Sequence, residues 1–117
     1  MHARIIFYHN PHCSKSRQTL QLLHDKGIKP EIIEYLKHPP SKAQLKNILH
    51  LLGITARDLM RIKDPSYKEL ALDNTELSED DLIAAMIEHP SLIERPIVLA
   101  NGTAAVGRPP ENVLKIF

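Results

Sequence analysis

The stretch from residue 4 to residue 35, RIIFYHNPHCSKSRQTLQLLHDKGIKPEIIEY, decides how this chain begins to fold. The apolar run at 4–8 predicts a short buried strand, and the leucine spacing over 15–26, closed by Gly27, predicts a helix. The run at 31–35 predicts a second strand. Because a helix that crosses between two strands of one sheet makes them parallel, this stretch predicts a βαβ unit.

The middle of the chain is patterned for helices. Ser41 and Gln44 have the spacing of a capping box, ahead of an amphipathic helix that Gly53 closes. Thr55 and Ser78 are placed to cap two further helices. This part of the chain therefore predicts helices separated by short loops.

The last part of the chain returns to strands. Asn101-Gly102 is the two-residue signal of a β-hairpin, and it lies between runs at 97–100 and 103–106 that predict antiparallel strands. A pair of prolines just beyond the second run is placed to begin a final helix, since proline is favoured at the first helical position.

The predicted order of elements is β-α-β, a helical insert and β-β-α. That order is the plan of an α/β, thioredoxin-like fold, in which a small mixed sheet is flanked by helices. At 117 residues and 43% hydrophobic, the chain has the size and composition of one globular domain. The sequence therefore predicts a single domain over 1–117, with the insert at approximately 41–89.

Composition excludes several classes of protein. Fifteen basic and 14 acidic residues give a formal net charge of +1, which argues against a general nucleic-acid binder. The apolar runs are too short for a membrane span or a secretory signal. A single cysteine excludes an internal disulfide. We expect a cytoplasmic monomer whose thiol stays reduced, and which binds neither nucleic acid nor membrane.

That single cysteine, Cys13, lies between the first strand and the first helix, among cationic and hydroxyl side chains. The N–H groups and partial positive charge of a helix N-terminus favour a thiolate and also bind anions. Such settings can lower a thiol pKa from about 8.5 to between about 3.5 and 7.5. A buried, inert cysteine is the alternative, although a polar loop suits core packing poorly. Ser16 stands where thioredoxins carry the second cysteine of C-x-x-C, so any disulfide of Cys13 must be with another molecule.

Several separated motifs are shared with a known family. They are H-N-P-x-C-x-x-S-R at His9 to Arg17, Y-L-x-x-P-P at Tyr35 to Pro40, L-x-R at Leu59 to Arg61, H-P-x-L-I-x-R-P-I-V at His89 to Val98, and G-R-P at Gly107 to Pro109. Through them the chain, from about Arg4 to Phe117, resembles the glutathione/glutaredoxin-coupled arsenate reductases, the ArsC family. Because it stops at Phe117, before the resistance-operon members end, it resembles a short, housekeeping-type member.

The resemblance implies an enzyme of arsenical detoxification that reduces arsenate to arsenite. Glutathione would be its co-substrate and glutaredoxin its partner, with no bound cofactor. Cys13 would attack arsenic and form a covalent adduct, His9 would favour the thiolate, and Ser16 would be able to hydrogen-bond the sulfur. No metal is expected, because the spacing of His9, His12 and Cys13 lacks a fourth ligand.

The resemblance also implies an oxyanion site. Arg61, Arg95 and Arg108 match the arginines that hold the oxygens of arsenate and arsenite, and planar guanidinium groups suit such oxygens. Each could instead be a surface ion-pair partner. Pro96 matches a proline that is usually cis and faces the cysteine in thioredoxin-like folds, which gives it a structural role at the site.

Two other functions remain open. The protein could be a monothiol thiol–disulfide oxidoreductase with incidental arsenate activity, although disulfide exchange needs no set of three arginines. It could also be a regulatory binding protein similar to the Spx regulators, although Ser16 removes the C-x-x-C switch of that group. The sequence leaves undetermined the roles of Arg17, His12 and Lys15.

Overall fold

The structure is a computed structural model, and it describes residues 4–117. These residues form two compact units. The first, here called the sheet unit, combines the described residues up to His38 with Arg95–Phe117. The second, here called the helical unit, is Pro39–Glu94.

Four strands make up the sheet: β1 (Ile6–His9), β2 (Glu31–Glu34), β3 (Ile97–Ala100) and β4 (Thr103–Val106). Their order is β2-β1-β3-β4. β1 pairs in parallel with β2 and antiparallel with β3, and β3 pairs antiparallel with β4. The parallel pair confirms the βαβ prediction, and the mixed sheet confirms the thioredoxin-like plan.

Two helices accompany the sheet, α1 (Ser14–Asp25) and a C-terminal 3₁₀ helix (Pro110–Ile116). Their apolar side chains meet those of the strands because fully burying a valine, leucine or phenylalanine side chain stabilises the fold by about 1.5–3 kcal/mol. This core of the sheet unit is formed by Phe7, Leu23, Val98, Ala105 and Val113.

The hairpin between β3 and β4 turns at Asn101 and Gly102, whose φ angles are 54° and 73°. Positive φ at both central residues is the requirement of a two-residue hairpin turn whose twist matches the strands. Asparagine and glycine meet this requirement at the lowest steric cost. The predicted hairpin is therefore confirmed with its predicted strand limits.

Strand β1 is displaced along the chain from the predicted run at 4–8. It begins at Ile6, paired with Glu31, and it ends at His9, paired with Glu34. The limits are set by the partner strand, which sequence periodicity cannot see. As a result His9 becomes the last residue of a buried strand rather than the first residue of a loop.

The helical unit contains α2 (Lys42–Leu52), α3 (Ala56–Leu59), α4 (Pro65–Glu69), α5 (Glu79–Glu88) and a 3₁₀ turn (Pro90–Leu92). Its buried side chains include Leu45, Ile48, Leu59, Ile83, Met86 and Leu92. No helix within residues 4–117 is long and apolar enough to cross a membrane.

Capping boxes begin three of these helices. They pair Ser41 with Gln44, Thr55 with Asp58 and Ser78 with Asp81. In each box the hydroxyl accepts from a backbone N–H and the partner side chain accepts from the N-cap N–H, which satisfies two donors that a helix leaves open. The caps predicted at Ser41, Thr55 and Ser78 are therefore confirmed.

Candidate active site

Cys13 is the N-cap residue of α1, with φ −99° and ψ 123°. Its N–H donates to the carbonyl of Asn10, and its carbonyl accepts from the N–H of Arg17, both at 3.0 Å. The residue is 8% exposed, so it is more buried than the polar sequence around it indicated. Because the N-cap residue is a cysteine, no side-chain oxygen caps α1 at this position. The thiol therefore stands where the first N–H groups of the helix are open.

Several groups act on the pKa of the Cys13 thiol. Burial raises this pKa, because the charged form loses water. Hydrogen bonds from the backbone N–H groups of Ser16 and Lys15, and the positive charges of Arg95 and Arg108, act in the opposite direction and prevail. The pKa of Cys13 is therefore lowered below its ordinary value. A lowered pKa favours the thiolate, which is the nucleophilic form of cysteine.

Arg108 contacts the sulfur of Cys13. Its Nη2 atom lies 3.6 Å from Cys13 Sγ, and its Nε–H donates to the carbonyl of Arg95 at 2.8 Å. The Arg95–Pro96 peptide bond is cis, as the resemblance implied. Cys13, Arg95, Pro96 and Arg108 all belong to the sheet unit. Two of the arginines predicted from the resemblance thus act on the thiol. Arg108 contacts the sulfur, and Arg95 acts on it through its charge.

His9 and Ser16 form a buried pair next to the loop of Cys13. His9 Nδ1 and Ser16 Oγ are hydrogen-bonded at 2.7 Å, and Ser16 Oγ also accepts from the N–H of Asn10 at 3.0 Å. Burial lowers the pKa of His9, Glu34 opposes this change, and Arg17 adds to it. The lowered pKa favours a neutral imidazole. The Ser16 hydroxyl is thus engaged by His9 and Asn10. The group of Ser16 that bonds the Cys13 sulfur is its backbone N–H.

The exposed side of the loop carries His12, Lys15 and Arg17. Arg17 Nη1 donates to the carbonyl of Pro11 at 2.9 Å, and the Asn10 side chain accepts from the N–H of His12 at 3.0 Å. Arg17 thus helps to hold the loop in place. Asn10 also holds the loop, since it bonds both His12 and Ser16.

Arg61, the third predicted arginine, belongs to the helical unit. The backbone N–H of Arg61 donates to the carbonyl of Leu92 at 2.8 Å, and its guanidinium Nη1 donates to the carbonyl of Ser91 at 3.2 Å. The same nitrogen lies 3.6 Å from the carboxylate of Asp64, which is itself buried. The arginine is therefore held by its own unit in a defined conformation.

Two contributors to the site carry no recognisable sequence signal. Thr19 is fully buried on α1 and its hydroxyl donates to the carbonyl of Lys15 at 2.7 Å. Asn112 donates from its side chain to the carbonyl of Val106, next to the Arg108 loop.

Within residues 4–117, no three His, Cys, Asp or Glu side chains are grouped so that they could hold a metal ion.

The fold and the site together define a thioredoxin-like protein with one cysteine of lowered pKa, placed at a helix N-terminus and contacted by an arginine. The model of the ArsC family matches residues 8–116, and the chain belongs to that family.

Relatives and solved structures agree over nearly the whole chain. A protein named arsenate reductase in Neisseria meningitidis serogroup A is 56% identical over 110 residues, which are 93% of this chain and 94% of that one. The Escherichia coli K12 protein YfgD, described as uncharacterized, is 53% identical over 117 residues, 99% of this chain and 98% of its own. The structure of an arsenate reductase from Vibrio cholerae superposes with a TM-score of 0.96 at 52% identity, covering 100% of both chains.

Proposed function

We propose that this protein is an arsenate reductase that uses glutathione and glutaredoxin as its source of electrons. The observation that carries the proposal is the contact between Arg108 and Cys13, a thiol whose pKa is lowered. A nucleophile and a cation suited to oxyanions then occupy one place. Family membership and relatives named arsenate reductase support arsenate as the anion.

The first chemical step joins Cys13 to arsenic. Arsenate is a tetrahedral oxyanion, and the guanidinium groups of Arg95 and Arg108 hold its oxygens through charge-assisted hydrogen bonds, a role that the family resemblance implies for Arg61 as well. The Cys13 thiolate attacks arsenic and a sulfur–arsenic bond forms. One protonated arsenate oxygen takes up a further proton and leaves as water. The arginines stabilise the charge that develops on the remaining oxygens.

The second step is the reduction. The thiolate of glutathione attacks the Cys13 sulfur, so that a sulfur–sulfur bond forms and the sulfur–arsenic bond breaks. The electron pair of the broken bond stays on arsenic, which goes from As(V) to As(III) and leaves as arsenite. The two sulfurs are oxidised to a mixed disulfide. A glutaredoxin thiolate then attacks the glutathione sulfur and releases the Cys13 thiolate.

Two features of the sequence and the site support an external thiol and a pre-formed nucleophile. Cys13 is the only cysteine, so no second thiol of the chain competes for the adduct. His9 is hydrogen-bonded to Ser16, whose backbone N–H donates to the Cys13 sulfur. We assign His9 and Ser16 the role of keeping the loop in the shape that stabilises the thiolate, and Pro96 the role of a structural neighbour at the site.

The test is a coupled assay of NADPH consumption with arsenate, glutathione, glutaredoxin and glutathione reductase, and with Cys13→Ser as the control. We expect consumption that requires both arsenate and Cys13. A parallel reaction with thioredoxin and its reductase replaces the glutathione system, and it should give little turnover. Equal turnover with thioredoxin would overturn the choice of reductant.

A second assay separates the leading proposal from a monothiol oxidoreductase. The same coupling enzymes are supplied with a mixed disulfide of glutathione in place of arsenate. Arg61→Ala should weaken the arsenate reaction because it removes a guanidinium group that, by the family resemblance, binds the oxyanion. Turnover of the mixed disulfide without any turnover of arsenate would establish the oxidoreductase instead.

A further inference from the structure

The loop that carries Arg108 joins β4 to the C-terminal 3₁₀ helix. Arg108 is an exposed residue, yet its guanidinium contacts both the Arg95 carbonyl, at 2.8 Å, and Cys13 Sγ, at 3.6 Å. A long arginine side chain has many rotamers, and ordering it has an entropic cost. The contact with the sulfur therefore depends on how firmly the backbone of the loop is held.

The backbone before Arg108 is held by close packing at Gly107. The Gly107 N–H donates to the carbonyl of Pro96 at 2.9 Å. A Cβ atom at Gly107 would lie 2.6 Å from Thr19 Oγ1 and 2.7 Å from Pro96 Cγ, closer than side chains approach. Glycine therefore lets this part of the loop pack against α1 and Pro96. The segment after Arg108 needs a separate anchor.

Asn112 supplies that anchor. Its Nδ2 donates to the carbonyl of Val106, and its backbone N–H donates to the carbonyl of Pro109, both at 2.9 Å. The N–H of Arg108 donates to the same Val106 carbonyl at 2.9 Å. The residues on both sides of the Arg108 turn are thus bonded to Asn112. We propose that Asn112 is a positioning residue that closes this loop and thereby holds the Arg108 guanidinium against the Cys13 thiolate.

The chemistry of the contact requires a hydrogen-bond donor at this position. The Val106 carbonyl is an acceptor, so its partner has to be a donor. A carboxylate has no proton to give and would repel the carbonyl, whereas alanine would leave the contact unmade. The consequence for arsenate rests on the proposed function. The consequence for the thiolate does not, because Arg108 contacts the sulfur in the structure itself.

The first experiment titrates the Cys13 thiolate by its ultraviolet absorbance, in the absence of arsenate. Because Cys13 is the only cysteine and the chain has no tryptophan, the signal near neutral pH reports this thiol alone. Arg108→Ala should raise the thiol pKa by about one unit, and Asn112→Ala by a part of that shift. Combined with Arg108→Ala, Asn112→Ala should add nothing further, because its effect passes through the guanidinium.

A matched control is available in the same unit. Asn101 Nδ2 donates to the carbonyl of Ile116 at 2.8 Å, an equivalent amide-to-carbonyl bond at the hairpin. Asn101→Gly removes that bond and keeps the positive φ that the turn requires. We expect an unchanged thiol pKa in this variant. In the arsenate assay, Asn112→Ala should raise KM about threefold to tenfold, as expected for one lost hydrogen bond, while Asn101→Gly leaves KM unchanged.

Two results would overturn the assignment. One is a folded Asn112→Ala protein, by circular dichroism, with the parent thiol pKa. The other is a shift of equal size in the Arg108→Ala background. If Asn112→Ala does not fold, Asn112→Gln, which keeps the amide but displaces it, is measured against the same expectations. A thiolate shift without any arsenate turnover in the parent would support Asn112 and refute the proposed function, so the two failures are distinguishable.

Discussion

Helices α1 and α5 begin in opposite ways. Ser78 caps α5 through a box with Asp81, and the first turn of α5 carries three acidic residues. Cys13 stands at the N-cap of α1, where no side-chain oxygen caps the helix, and the first turn of α1 carries no acidic residue. One helix satisfies its open N–H groups and its positive end with its own side chains. In α1 the open N–H groups bond the sulfur atom of Cys13 instead.

The difference separates stability from chemistry. An N-cap serine is worth about 1 kcal/mol, and first-turn acids add about 0.3–1 kcal/mol. Helix α1 forgoes both contributions. The N–H groups of Lys15 and Ser16 instead bond the Cys13 sulfur and lower its pKa. The absence of a capping oxygen is therefore the feature that leaves the start of α1 to the Cys13 thiolate.

The largest expected effect comes from making α1 resemble the other helices. Cys13→Ser places a capping hydroxyl at the N-cap and removes the nucleophile. We expect arsenate turnover to fall to the background of the assay, while the free energy of unfolding is unchanged or rises by up to about 1 kcal/mol. Urea unfolding measured beside the coupled assay checks both quantities. A clear loss of stability would show that the sulfur stabilises the fold, and would contradict the comparison.

Features fixed by neighbouring residues could be predicted from the sequence. The capping box at Ser41 needs only residues three apart, the N-cap at Ser78 needs only a serine ahead of a helical pattern, and the turn at Asn101-Gly102 needs only a pair. The limits of β1 were missed by one or two residues because the pairing with β2, residues distant in sequence, decides them. Caps and turns could therefore be predicted from neighbouring residues, whereas the limits of β1 could not.

The residues of the site also differ in whether neighbouring residues reveal them. Cys13 could be recognised as a thiolate candidate from its own loop, and the arginines only from the resemblance. Arg108 contacts a sulfur 95 positions away, so no periodicity predicts the contact. Asn112 lies in the C-terminal 3₁₀ helix with no motif around it, and its bonds to Val106 and Pro109 depend on how the loop closes. Residues that act through tertiary contacts leave no local signal.

A smaller effect tests the capped side of the comparison. Ser78→Ala removes the hydroxyl that accepts from the Asp81 N–H at 3.0 Å, and it should cost about 1 kcal/mol. For a chain of this size the melting temperature should fall by about 5 °C. Ser14→Ala is the matched control, because Ser14 is the first residue of α1 and caps nothing. An equal loss in the control would mean that α1 is capped by Ser14 and that the contrast between the helices is wrong.

The smallest expected effect adds to α1 the charge that α5 already has. Ser14→Glu places a carboxylate in the first turn of α1, where it should stabilise the helix by about 0.5 kcal/mol through the helix dipole. The same charge disfavours the neighbouring thiolate and should raise the pKa of Cys13 by about half a unit. Since a raised pKa leaves less thiolate at a given pH, alkylation by iodoacetamide should reach its half-maximal rate at higher pH. Ser14→Gln, of the same shape without the charge, should show neither change, and added salt should shrink both. A stabilised Ser14→Glu protein with the parent alkylation profile would show that the positive end of α1 does not govern the thiolate.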